Sequence, residues 1–130
     1  MTFKINDVAT SLVTLLRQSG AWAVGDGEVP ATIPADKPWG ILMTLPGGTS
    51  SGGMAGNQEM ASLMFQLKSV GGTPEQCRRF QQKMHEIIEA GWDSVTGCMG
   101  PPRVSPGGIV SNDQRAFEAN DTIYMEVTGT

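Results

Sequence analysis

His85 is the only histidine in this 130-residue chain, so a histidine general base or an imidazole-bound metal would have to use it. Cys77 lies eight residues upstream on what the spacing predicts to be the same helix. Two turns of helix separate those side chains by about 12 Å, too far for a Cys–His pair or shared metal ligation. Glu86 and Glu89 stand at i, i+3, and paired carboxylates do acid–base work when they are buried. Here they fall on the charged side of the predicted helix with Lys83 and are expected to be solvated. Thr49-Ser50-Ser51 offers hydroxyls without a neighbouring base. The glycine-rich run from Gly47 to Asn57 invites a phosphate-loop reading, but it lacks the lysine of GxxxxGK[ST], and no G-x-G-x-x-G spacing occurs. These residues predict no enzyme, no cofactor and no metal site.

Residues suited to contact are more prominent than residues suited to catalysis. The chain holds eight methionines, whose flexible thioethers fit irregular cores and adaptable surfaces. Most are expected in the core. Met54, set within a Gly/Ser loop, is expected to dock on a partner, and Trp22 and Trp39 flank the first connection as candidate anchors. The net charge is −4 with a pI near 4.8, and no basic run exceeds the two residues Arg78-Arg79. A dedicated nucleic-acid binder draws most of its affinity from phosphate neutralisation and shows a basic stripe, so sequence-specific binding is not expected. Apolar stretches fall short of the roughly 18–20 residues of a membrane span. The first residues carry no cationic region or clean cleavage site, which predicts a helix used in a cytoplasm. Cys77 and Cys98, without a paired motif, are expected to stay reduced.

The elements that must position these residues follow from periodicity. Ile5, Val8, Leu12, Leu15 and Leu16 recur at helical spacing, predicting a helix over about 6–18, with Asn6 as N-cap and Gly20 just past its end. Residues 23–38 hold three prolines and two glycines and read as a surface connection. A buried strand is predicted over about 39–45, then a flexible loop over 46–57, and an alternating strand over about 59–70. Thr73-Pro74-Glu75-Gln76 combines a capping threonine, a proline at the first helical position and a capping-box glutamine. The helix it opens, about 74–90, presents Cys77, Phe80, Met84, Ile87 and Ile88 on one side. Gly91 is expected to end it, with Trp92 packing back on Ile87. A Gly/Pro-rich loop over 96–108 precedes a strand edge at Ile109-Val110 and strands over about 115–119 and 122–128. In the last of these Ile123, Met125 and Val127 share one face, and Tyr124 and Glu126 the other. Together these predict one α+β domain over 1–130, a mostly antiparallel β-sheet packed on one face by two amphipathic helices, with long Gly/Pro-rich loops.

Four segments carry a resemblance: the helix DVATSLVTLLRQSG, the strand FQLKSVG, the helix TPEQCRRFQQKMHEII directly after it, and the closing strand DTIYMEVTG. In this order the chain resembles the tail terminator (tail completion) proteins of long-tailed, non-contractile bacteriophages, the actinobacteriophage versions in particular. In that family a strand of the form xxQxxSVG runs into a helix beginning T/R-x-E-Q. Here that is Phe65-Gln66-Leu67-Lys68-Ser69-Val70-Gly71, then Thr73-Pro74-Glu75-Gln76. The resemblance implies a virion structural protein found in the tail or neck and made in the host cytoplasm. It implies a homohexameric ring that caps the tail tube, stops its polymerisation and offers a surface for head–tail joining. The implied partners are other copies of the chain, the tail tube protein and connector or neck proteins, with DNA passing through the lumen. An acidic ring would repel that DNA and let it slide. The interface residues expected are Trp39, then Gly47, Gly48, Met54 and Asn57 in loop 46–57, and Met99 and Arg103 in loop 96–108. Two other readings stay open: another neck or head–tail connector component, and an unrelated small protein-binding domain of the cytoplasm.

Overall fold

The computed structural model describes residues 5–17, 23–30, 38–45, 49–52, 59–111 and 116–129. Helix α1 spans Ile5–Leu16. Val8, Leu12, Val13, Leu15 and Leu16 are buried on one side of it. Two hydroxyls fold back on the helix: Ser11 donates to Val8 O at 2.9 Å, and Thr14 donates to Thr10 O at 2.9 Å. Asn6 lies inside the first turn and not at the cap, because the helix already includes Ile5. The helix ends at Leu16, short of the expected residue 18, and Gly20 and Trp22 lie outside the described residues.

Helix α2 spans Pro74–Gly91. Its start follows from the local sequence: Gln76 N donates to Thr73 Oγ1 at 3.1 Å, and Gln76 Oε1 accepts from Gly72 N at 2.9 Å. Its far end corrects the expectation. Gly91 has φ −129° and Trp92 stays helical at φ −58°, ψ −28°, running into a 3-10 turn over Trp92–Ser94. The chain turns off only at Val95, which is buried in the core, so no left-handed cap forms at Gly91.

The strands are β1 (Ala23–Asp26), β2 (Trp39–Thr44), β3 (Thr49–Gly52), β4 (Glu59–Gly71), β5 (Arg103–Ser105), β6 (Val110–Ser111) and β7 (Phe117–Gly129). They form one sheet in the order β1-β2-β4-β7-β5, with β3 paired to β4 and β6 to β7. β1 runs parallel to β2, and every other pairing is antiparallel. The spine of the sheet is the β4–β7 pair, matched along its whole length from Glu59↔Gly129 to Gly71↔Phe117.

Strand alternation then assigns the two faces. Leu63, Phe65 and Leu67 of β4 and Ile123, Met125 and Val127 of β7 pack with Leu12 and Leu16 of α1 and with Phe80, Met84 and Ile88 of α2. Both helices therefore cover the same face of an α+β domain. The opposite face carries Ile41, Met43, Met64, Gln66, Lys68, Thr122 and Tyr124, all half-buried. Lys68 and Glu118 form an ion pair there at 3.3 Å.

Four segments differ from expectation, each because a strand is completed by its partner and not by its own pattern. Within the connection 23–38, Ala23–Asp26 pairs with Trp39–Leu42 as β1 and buries Val24. Within loop 46–57, residues 49–52 pair with 59–62 as β3, while Gly47, Gly48, Met54 and Asn57 lie outside the described residues. Within loop 96–108, residues 103–105 pair with β7 as β5, and Cys98 bridges to Val127. The strands expected at 115–119 and 122–128 are one strand, continuous through Asn120 and Asp121. Among the described residues no helix is long and apolar enough to cross a membrane.

Candidate protein-docking groove

On the face opposite the helices, the β5 side of the sheet holds a groove of about 330 Å3 lined by Ser62, Met64, Pro101, Arg103, Tyr124 and Glu126. Register explains the assembly. Tyr124 of β7 faces Met64 of β4 on one side and Arg103 of β5 on the other. The Arg103 guanidinium lies 5.0 Å from the centre of the Tyr124 ring, where the ring's negative face attracts a cation. The segment before β5 is stitched to the same strand: Met99 N donates to Glu126 O at 2.9 Å, and Cys98 Sγ donates to Gly100 O at 3.2 Å. Burial raises the Cys98 thiol above its ordinary value, and hydrogen bonds from the backbone at Gly100 and Met99 offset part of that rise. The Met99 side chain is 48% exposed beside this edge. The groove is open to solvent and mixes apolar with charged and polar side chains, a lining that suits side chains of a protein partner.

Met99 and Arg103, expected as interface residues, are thus brought to one edge of the sheet. Trp39 is not. It starts β2, opposite Val70, at the other end of the same face. Tyr124 and Glu126 were absent from the expected interface residues. The signal was available, because alternation over 122–128 already turned both away from the core.

The second polar cluster is buried. Asp121, fully buried, sits on the core face of β7 and is held from three sides. Its Oδ1 accepts from Gln81 Nε2 at 2.7 Å and from Gly107 N at 2.9 Å, and its Oδ2 is 2.8 Å from His85 Nε2. Gln81 Nε2 also donates to Gly107 O at 3.1 Å. The reason is a bulge. β5 and β6 are two halves of one edge strand, and between Ser105↔Thr122 and Val110↔Glu118 the four residues 106–109 face only 119–121. Gly107 has its carbonyl and amide bonded by side chains where the ladder is interrupted. A Cβ at that position would lie 2.1 Å from Asn120 O, so only glycine fits.

His85, with its side chain 30% exposed, therefore has a carboxylate partner that its sequence context does not reveal. That carboxylate ties α2, β7 and the edge strand together. Glu86, expected to be solvated, is exposed and lies 4.0 Å from Lys83; Glu89 is exposed as well. Both cysteines are free thiols. Burial, reinforced by the charges of Asp121 and Glu118 and partly offset by Arg78, pushes the Cys77 thiol from 9.0 up to about 11. Among the described residues no group of three or more His, Cys, Asp or Glu side chains is placed to hold a metal ion.

No protein-family model matches the sequence, and no curated protein does. Solved structures do match the fold. One chain of the virion of a native gene transfer agent particle superposes with a TM-score of 0.68 at 9% identity, over 97% of this chain and 100% of that one. At that identity the likeness establishes a shared fold.

Proposed function

We propose that this chain is a virion structural protein, and specifically a tail terminator: a ring of six copies that caps the tail tube, ends its growth and presents the surface for head–tail joining. The observation that carries this reading is the end-to-end likeness to a chain of a gene transfer agent virion, which spans nearly all of both chains. Three features support it. The ordered motifs FQLKSVG and TPEQCRRFQQKMHEII fall on β4 and α2, which form the centre of the fold. Neither described helix packs on the second face of the sheet, which holds a groove at its edge suited to a protein side chain. The net charge of −4 per copy is multiplied in a ring, giving a lumen that DNA crosses without sticking. The role is assembly, not catalysis, and the partners are other copies, the tail tube protein and a connector or neck protein.

Light scattering of the purified chain across a range of concentrations tests the ring, followed by electron microscopy of the largest species. A particle of six 13.8 kDa subunits with a central hole is expected. A chain that remains monomeric at every concentration contradicts the reading.

A further inference from the structure

We infer that successive copies join head to tail, the turn after β1 of one copy seating in the Arg103–Tyr124 groove of the next. The inference rests on the ring reading and names the joint that closes it. A ring needs a heterologous contact, in which two different patches of the same chain meet. β1 and β5 lie at opposite edges of the sheet, about 19 Å apart across four strand spacings. The last residue of β1 and the turn that follows carry three exposed side chains: Asp26, Glu28 and Val29, the last of these 48% exposed. The groove beside β5 offers their complements, the Arg103 guanidinium for the acids and the Met64, Pro101 and Tyr124 surface for the valine.

Both patches are built in advance, which lowers the ordering cost of association. Gly27 N donates to Leu42 O at 2.8 Å, and Gly27 sits at φ +72°, a left-handed turn position that glycine takes without strain. Arg103 is held over the Tyr124 ring. The turn is fixed by a backbone contact as well: it folds back on β1, where Glu28 O would lie 1.8 Å from a Cβ at Gly25, an approach that only glycine allows. Glu126 lines the same groove, so an incoming acid is drawn to the Arg103 side, which sets the direction of the contact.

The test uses the full chain and two charge reversals, Arg103→Glu and Glu28→Lys, with thermal melting to verify that both remain folded. Each variant alone is expected to need at least about tenfold higher concentration to assemble, because every joint then pairs like charges. Mixed in equal amounts, they are expected to assemble within about twofold of the unaltered chain. In an alternating ring one joint brings together the two substituted side chains, again opposite in charge, and the next is the native Arg103 with Glu28. Variants that assemble as readily as the unaltered chain overturn the joint and leave the ring standing. A mixture that stays dissociated overturns it as well. An unaltered chain that never leaves the monomer overturns the ring, and the joint with it.

Discussion

Asp121 is a charged residue on the apolar side of a strand whose neighbours on that side are Ala119, Ile123, Met125 and Val127, all buried. A buried carboxylate is tolerated only when its lone pairs are taken up, and here Gln81, Gly107 and His85 take them. Truncating it leaves the Gly107 amide and one end of the Gln81 side chain short of a partner. Asp121→Ala is expected to cost about 3 kcal/mol of unfolding free energy, read by urea denaturation. Asp121→Asn retains an acceptor for Gly107 and is expected to cost less. A second residue-scale expectation concerns Cys77. Its thiol is raised from 9.0 to about 11, so the folded state holds a proton that the unfolded chain releases earlier. The stability this contributes is whole below about pH 9 and is lost as pH rises through about 11. The melting temperature should therefore fall across that window, and Cys77→Ala should flatten the fall.

At the scale of elements, α2 and β4 were legible because each is long and has a single period. Thr73 and Pro74 mark the start of the helix, and Phe80, Met84 and Ile88 keep to its buried side. Met84→Ala is expected to cost about 2–5 kcal/mol, and Arg78→Ala, on the exposed side, less than about 0.5 kcal/mol, in the same denaturation series. Equal losses would mean that the helix face is assigned wrongly. The short strands β1, β3 and β5, of three or four residues each, were not legible. Such strands owe their existence to a partner: Val24 is strand because Gly40 lies beside it, and Val104 because Ile123 does. Asn120-Asp121 has turn chemistry, which divides β7 in two when only the sequence is read. Once β7 is continuous, its alternation puts Asp121 on the core face, and only the fold supplies the partners that let it stay there. Of the residues that line the groove, Arg103 was named from the sequence, whereas Tyr124 and Glu126 join it through the β5–β7 pairing alone.

For the whole molecule, the arrangement is a sheet covered by helices on one face and left half-exposed on the other, with different patches at its two edges. In the joint proposed above, a ring brings these two edges together. In the proposed function, a ring of this chain ends the growth of a tail tube. The direct measurement is the length distribution, by electron microscopy, of tubes grown from purified tail tube protein with increasing amounts of this chain. Growth should arrest at one end, with the protein seen as a collar there and the mean length falling as more is added. An unchanged length distribution at saturating concentration, with no collar on the tube ends, would contradict the account.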